Sequence, residues 1–286
     1  MAPDTRGKLT APDESIRALY ARLDDLSDAA SRGEPAATAF LTPREAKYAR
    51  SYLAHRLSAG LAVLWGGYAG AERVRAFLLP DWLEGLVDPQ ALADDPADAL
   101  EAAGFPDAAA FVRDCVIALR VKGSGFRTLS HRDYLGSVMG AGLERDALGD
   151  VLVEDDSTAV LLCGRRVADY LLTDLHKVGA DTVRVSALAD GETPCAVRRV
   201  QPLSDTVASQ RLDCIVASLC NLSRDKAQTA IRSGLCELDY ECTEDCDTEV
   251  EPPAVLSVRG CGKFRVLSFD DETRKGRVRM RAEKYV

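Results

Sequence analysis

Residues 209–235 read SQRLDCIVASLCNLSRDKAQTAIRSGL, a pattern that predicts two short helices joined by a tight turn. Asn221 is suited to ending the first helix, and Ser223 can cap the second because its hydroxyl can accept a hydrogen bond from a free backbone amide. Gly234 is expected to follow the end of the second helix. The apolar residues of the first helix recur at the spacing of one buried face: Leu212, Ile215, Val216 and Leu219.

The second helix carries a polar stripe beside its apolar one. Residues four apart are neighbours on a helix face, so Arg224, Gln228 and Arg232 fall in one row. The start of this helix also offers free amides and the positive end of the helix dipole, both suited to phosphate. Such a row is either an ordinary solvated helix face or a surface for phosphates and 2′-hydroxyl groups in the shallow minor groove of RNA.

Four strands are expected after these helices, at 235–239, 254–258, 264–269 and 277–281. This order of two helices and a small antiparallel sheet resembles the S-four domain, the RNA-binding module of ribosomal small-subunit protein four. The blocks that carry the resemblance are 209–213, 223–228, 231–235 and 256–260.

An RNA-binding surface is what this resemblance implies, and Asp213 is expected to pair with a neighbouring arginine and hold it in place. Lys263 and Arg265 would extend the track of cations that begins on the helices. The predicted contact residues are Arg211, Ser223, Arg224, Lys226, Gln228, Arg232, Arg259, Lys263 and Arg265.

Charge is distributed unevenly over this module. The whole chain of 286 residues is acidic, with a net charge of −9, which argues against a protein that coats DNA. Residues 252–286, however, hold nine basic against four acidic side chains, whereas 236–251 hold eight acidic and no basic ones. The pattern favours one face for RNA and one acidic face, and the acidic face is compatible with an adaptor that contacts other proteins.

The remaining sequence predicts an α+β protein with a helical N-terminal region (1–60), a central α/β domain (61–190) and the C-terminal S-four domain (204–286). A capping box at Thr42 opens one helix and a second at Ser130 opens another. Segment 86–110 is expected to contain loops and short helices, and 111–121 a strand. Residues 189–203 lack periodicity and are expected to form the boundary before the last domain.

Motifs upstream of the last module extend the resemblance to the YlmH family, over about residues 13–283. They are 40–45 (FLTPRE), 65–68 (WGGY) with 71–73 (AER), 129–140 (LSHRDYLGSVMG) and 149–150 (GD). The resemblance implies a central domain like an RNA-recognition fold and association with the large ribosomal subunit, its rRNA and tRNA. In some bacteria the family acts in quality control of stalled nascent chains, and in others it is linked to cell division or, in plastids, to photosystem assembly, so the pathway stays open at this point.

No catalytic residue, metal site or cofactor is predicted. The nine cysteines contain no CxxC pair, and no loop has the glycine spacing of a dinucleotide site. The apolar runs are far shorter than a membrane span, and 1–10 lack the apolar core of a signal peptide, so we expect a cytoplasmic protein.

Three alternatives concern single motifs. Arg211-Leu212-Asp213 has the letters of the pseudouridine synthase motif, so an RNA-modifying enzyme of that type, or a methyltransferase, is the second hypothesis. Tyr68 is either exposed for stacking on a base or packed in a tight turn. His131 lies at the start of a predicted helix, and three roles are open for it: a catalytic base, an RNA contact or a structural cap.

Overall fold

The computed structural model describes residues 12–58, 60–189, 192–195, 200–272 and 276–285. The chain divides into two compact units, at positions 1–197 and 198–286. Their junction falls inside segment 189–203, where the sequence lacks periodicity. The fold combines helices with antiparallel sheets, and the expected α+β class is confirmed.

The N-terminal unit contains helices and short strands in mixed order. Its helices are α1 (Glu14–Ser31), α2 (Pro43–Ala54), α3 (Pro89–Asp94), α4 (Pro96–Ala102), α5 (Pro106–Cys115), α6 (His131–Gly140) and α7 (Arg165–Asp174). Its strands are β1 (Ala36–Ala37), β2 (Ala62–Trp65), β3 (Arg75–Leu78), β4 (Ile117–Lys122), β5 (Leu148–Val153), β6 (Thr158–Cys163), β7 (Lys177–Val178), β8 (Asp181–Thr182) and β9 (Arg184–Ala187). Among the described helices, none is long and apolar enough to cross a membrane.

The two predicted capping boxes are confirmed. The Thr42 hydroxyl accepts from the Glu45 amide, and the Glu45 carboxylate accepts from the Thr42 amide at 2.8 Å. Ser130 and Asp133 form the same reciprocal pair at the start of α6. These bonds satisfy amides that a helix start would otherwise leave without partners, and so they set where α2 and α6 begin.

Besides the short pair β7-β8, two larger sheets organise the described part of this unit. Strands β1, β3 and β2 form one, in the order β1-β3-β2, and β5-β6-β4-β9 form the other. Helices α6 and α7 cover one face of the second sheet, where Tyr134 and Leu171 pack against Leu119 and Leu161. The first sheet joins residues on both sides of position 60, and the predicted domain boundary there stays a prediction.

The expected strand 111–121 is wrong in its first half. Helix α5 continues to Cys115, and β4 begins only at Ile117. Pro106 occupies the first turn, where its missing N–H costs nothing, and the alanines that follow favour helix. The apolar residues Phe111 and Val112 belong to this amphipathic helix, because short apolar runs do not separate strand from helix.

The C-terminal unit is a single sheet with two helices on one face. Its helices are α8 (Leu212–Leu219) and α9 (Arg224–Arg232). Its strands are β10 (Val200–Val207), β11 (Cys236–Leu238), β12 (Glu241–Cys242), β13 (Ala254–Val258), β14 (Gly262–Glu272) and β15 (Val278–Tyr285). They are ordered β10-β15-β14-β13-β11-β12, with every neighbouring pair antiparallel.

A shared core holds these helices to the sheet. Ile215 and Ile231 of the helices contact a cluster that includes Leu256, Phe264 and Val266 of the strands. Alternate strand residues therefore point to the helices, and the residues between them lie on the opposite face, here called the outer sheet face.

Strand β10 was not predicted. It pairs along its whole length with β15, from Val200 opposite Tyr285 to Val207 opposite Val278. Its sequence contains Pro202 and few apolar residues. Such a composition is compatible with a strand at the edge of a sheet, but it does not predict a strand from the sequence alone. Segment 200–207 is a strand because it pairs with the long strand β15, and this pairing is visible only in the folded structure.

Candidate nucleic-acid interface

The predicted helix pair exists, and its turn is built as the sequence indicates. Asn221 adopts a positive φ of 51° after α8. The Ser223 hydroxyl accepts from the Lys226 amide at 3.4 Å and caps α9. Gly234, with φ of 65°, follows the end of α9. The start of α9 is thus fixed next to α8.

Four side chains meet between the two helices, and we call them the Asp213 cluster: Asp213, Arg211, Arg224 and Gln228. The Asp213 side chain is fully buried. Arg211 donates to both of its oxygens, from Nε at 3.2 Å and from Nη2 at 3.1 Å. Arg224 Nε donates to Oδ2 at 3.0 Å, and Gln228 Nε2 donates to the same oxygen at 2.7 Å. The prediction that Asp213 holds a neighbouring arginine is confirmed.

Backbone bonds from the acidic segment fix the position of Asp213. The amide of Leu212 donates to the carbonyl of Thr248 at 2.8 Å, and the amide of Asp213 donates to the carbonyl of Cys246 at 3.2 Å. Asp247, in the same segment, forms an ion pair with Arg211. The acidic segment 236–251 is therefore partly a structural brace for the first helix.

Asp213 is ionised at neutral pH. Burial by itself would raise the pKa of this carboxyl, but the bonds from Arg211, Gln228 and Arg224 outweigh it and hold the pKa well below its usual range. A buried carboxylate with three charged or amide donors orders those donors. Its charge and that of Asp247 balance the charges of Arg211 and Arg224.

The arginines of the cluster differ in what they leave open. The side chain of Arg224 is 54% exposed although its Nε is bound, whereas that of Arg211 is 36% exposed and lies between two carboxylates. Ser223, Lys226 and Arg232 are exposed along α9. The open cations of this face are therefore Lys226, Arg232 and the outer part of Arg224.

Arg259 lies near the other end of α9. Its amide donates to the carbonyl of Leu235, three residues after the end of α9, at 2.9 Å, and its side chain is exposed. This hydrogen bond joins the segment that follows Arg232 to the segment that contains Arg259.

Lys263 and Arg265 do not continue the helical row. Their neighbours Phe264 and Val266 point into the core, so both cations lie on the outer sheet face, opposite α8 and α9. Lys263 Nζ is 5.3 Å from the ring centres of both Tyr240 and Tyr285. The single track of cations predicted from the sequence is, in the structure, two surfaces separated by the sheet.

Tyr68, a candidate for base stacking, is buried instead. Only 5% of it is exposed, and it packs with Phe40 and Leu162. Its hydroxyl donates to Asp150 Oδ2 at 2.7 Å, and Asp150 also accepts from the amides of Glu72 at 2.8 Å and Arg73 at 3.1 Å. We call these groups the Asp150 cluster.

Two further motif residues serve this cluster. Arg73 is almost buried and donates to the carbonyls of Leu148 and Phe40, each at 3.0 Å. Gly67 has φ of +96°, and a Cβ there would lie 2.8 Å from a Leu162 methyl carbon. The motifs at 65–73 and 149–150 therefore join two parts of the N-terminal unit, a role that sequence reasoning did not assign.

His131 is exposed at the first position of α6. The surrounding protein and the charge of Arg145 lower the pKa of its imidazole. The capping role at this helix belongs to Ser130, not to His131.

The pseudouridine synthase interpretation of Arg211-Leu212-Asp213 meets a geometric obstacle. A catalytic carboxylate has to touch its substrate, but Asp213 has no exposed surface, and Arg211, Arg224 and Gln228 occupy its oxygens. The arrangement can order cations for a polyanion, and it offers no reachable nucleophile at this aspartate.

Comparison with known proteins adds two family models. One, described as "YlmH, N-terminal", matches residues 14–82. The other, described as "Putative RNA-binding domain in YlmH", matches residues 116–191. The Asp150 cluster thus takes Tyr68 from the first matched region and Asp150 from the second.

Two individual proteins are also similar. "Ribosome-associated protein quality control protein P2" of Bacillus subtilis (strain 168) is 30% identical over 248 residues, which are 86% of this chain and 86% of that protein. The solved structure "Cell division protein ylmH from Streptococcus pneumoniae" is 16% identical, has a TM-score of 0.44, and the match covers 64% of this chain and 96% of that one.

Proposed function

This chain belongs to the YlmH family, and from that premise we propose that it is a non-catalytic RNA-binding protein that associates with the ribosome. The printed name of the Bacillus subtilis relative supports the ribosome as its place of action. The match of residues 116–191 to an RNA-binding domain model supports RNA as the ligand. We further propose that it binds the rRNA and tRNA of the large ribosomal subunit, that it acts in quality control of stalled translation, and that it works in the cytoplasm.

The Asp213 cluster is the observation that carries the proposal for the C-terminal unit. It holds Arg224 and Gln228 in one orientation at the start of α9, beside the exposed cations Lys226 and Arg232. Ordering these side chains before binding reduces the entropy lost on contact with a phosphate backbone. We therefore assign the S-four role to the α8–α9 face of this unit.

The sharpest test removes cations that the fold does not use. Arg224 is unsuitable, because its removal would also disturb Asp213. In the variant Lys226→Ala with Arg232→Ala, both losses are at exposed positions. The matched control is Arg17→Ala with Arg22→Ala, which removes the same charge from exposed positions of α1.

The measurement is binding of the full chain to purified large ribosomal subunits over a series of salt concentrations, by sedimentation through sucrose. We expect the Lys226 and Arg232 variant to bind more weakly and to lose about 2 units from the slope of log affinity against log salt. The control should retain the slope of the unaltered chain. Equal slopes in all three proteins would contradict the proposal for α9, and a lack of binding by the unaltered chain would contradict ribosome association itself.

A further inference from the structure

The most exposed large apolar residue that the structure describes is Phe126, at 94%. It lies in the loop between β4 and α6, inside the region matched by the RNA-binding domain model. Its neighbours Gly125, Arg127 and Thr128 are also exposed. A ring exposed to this extent is available for contact with another molecule.

The base of this loop is firmly tied to the fold. Asp181 is buried and accepts from the Ser124 amide at 3.0 Å and from the Ser124 hydroxyl at 2.5 Å. The amide of Gly123 donates to the carbonyl of Ser157 at 2.7 Å, and that of Leu129 donates to the carbonyl of Asp156 at 2.7 Å. Because both ends are anchored, Phe126 is presented at a defined place.

Two carboxylates next to the loop, those of Asp181 and Asp155, are engaged by the protein. The bond from the Ser124 hydroxyl is the largest influence on Asp181 and, with the charge of Arg127, lowers the pKa of its carboxyl. Asp155 accepts from the amide and hydroxyl of Ser157. These acids therefore stabilise the loop and the adjoining turn.

Two cations face each other beside the loop. Lys122, the last residue of β4, lies directly opposite Arg184 of β9, and both side chains are exposed. Like charges in this register are destabilising. Neither side chain forms an ion pair with another residue in the described ranges, so an anionic partner would relieve the repulsion.

We infer that this corner of the central region is an RNA contact in which Phe126 stacks on an unpaired base while Lys122 and Arg184 bind the adjoining phosphates. The inference rests on the proposed RNA-binding function and names a site for it in the N-terminal unit. Phe126 is four positions after Lys122, so their Cα atoms lie at most about 14 Å apart, a distance that a short stretch of RNA backbone can cover. Stacking on an aromatic side chain is tolerant of sequence, because every base has a π-face.

An unpaired base fits this corner better than a protein surface does. Protein-binding patches on soluble chains are contiguous apolar areas, whereas the sequence neighbours of Phe126 are glycine, serine, threonine and arginine. A lone ring with cations next to it is the combination typical of proteins that bind single-stranded RNA.

The test compares Phe126→Ala, Phe126→Trp and the unaltered chain in binding to purified large ribosomal subunits. Alanine should weaken binding about tenfold, since stacking on one base is worth this order of affinity, and tryptophan should retain it. Leu172→Ala, which removes an exposed apolar side chain from α7, is the matched control and should bind as the unaltered chain does.

A photoreactive benzoylphenylalanine at position 126 identifies what the loop touches. Crosslinks to rRNA or tRNA nucleotides support the inference, and crosslinks only to ribosomal proteins overturn it. If the unaltered chain and Phe126→Ala bind equally well, the inference fails and ribosome association stands. If the unaltered chain does not bind, both fail.

Discussion

Two aspartates organise this protein, and they use different kinds of donor. Asp150 accepts from two backbone amides and from Tyr68, a side chain that is 5% exposed. Asp213 accepts from three side chains, and one of them, Arg224, remains 54% exposed. The first arrangement ends inside the protein, whereas the second extends to the surface.

The difference separates a structural role from a binding role. Groups whose hydrogen bonds are all internal stabilise the fold and have nothing left to offer a ligand. Side chains ordered at one end and open at the other are prepared for binding. We therefore expect changes at Asp150 and its neighbours to alter stability alone, and changes at Asp213 to alter both stability and RNA binding.

The largest effect is expected for Asp213→Asn. Removing one partner of a buried ion pair is strongly destabilising, and because the arginines are half exposed we expect a loss of about 3 kcal/mol in the free energy of unfolding of the C-terminal unit. Urea unfolding followed by far-ultraviolet circular dichroism measures it. Asp225→Asn, at an exposed position in the first turn of α9, is the control and should cost about 0.5 kcal/mol.

Acid should remove this difference. Because the pKa of Asp213 is lower in the folded than in the unfolded state, its ionised form stabilises the fold at pH values above the unfolded pKa of about 4. This contribution to the free energy of unfolding is lost progressively as the pH falls below about 4. The gap between the unaltered chain and Asp213→Asn should shrink by about 1.4 kcal/mol for each pH unit below that value. A gap that stays constant between pH values of about 7 and about 3 would contradict the ionised state of Asp213.

A smaller effect is expected for Gly67→Ala. The alanine would have to keep the left-handed φ of this position, and its Cβ would displace the methyl groups of Leu162 and Val116. We expect the two effects to lower the free energy of unfolding of the N-terminal unit by about 2 kcal/mol. Both tryptophans of the sequence, at positions 65 and 82, lie in the N-terminal unit, so tryptophan fluorescence reports its unfolding. Gly85→Ala, with a similar φ but open space around it, is the control for backbone strain alone.

The smallest effect is expected for Tyr68→Phe. It removes one hydrogen bond to a carboxylate and keeps the ring, so the N-terminal unit should lose about 1.5 kcal/mol. Binding to large ribosomal subunits should not change, because the hydroxyl is internal. A loss of binding at unchanged stability would show that Tyr68 contacts RNA after all and would end the distinction between the two clusters.

Local signals predicted a large part of the fold. Helices α2, α6 and α9 begin at capping residues that are readable in the sequence, and strand β13 occupies the expected residues 254–258. The errors were at positions without such signals. Apolar residues 111–112 suited either helix or strand, and β10 has too little periodicity to be recognised before its partner is known.

The candidate site was predicted in its residue types and only partly in its geometry. The spacing of Arg224, Gln228 and Arg232 identified the helix face, and the pairing of Asp213 with an arginine was expected. The placement of Lys263 and Arg265 on the opposite side of the sheet could not be read from charge, because charge does not reveal which way a strand faces.

The sequence by itself determined the features that depend on a few neighbouring residues. These are the helix starts, the turn residues, the apolar faces and the order of elements. Tertiary structure decided which of the polar residues meet. Asp213 and Gln228 are 15 residues apart and Tyr68 and Asp150 are 82 apart, yet each pair is joined by a hydrogen bond of 2.7 Å. For the fully buried Asp213 the reason is that a carboxylate removed from water has to find its donors within the fold.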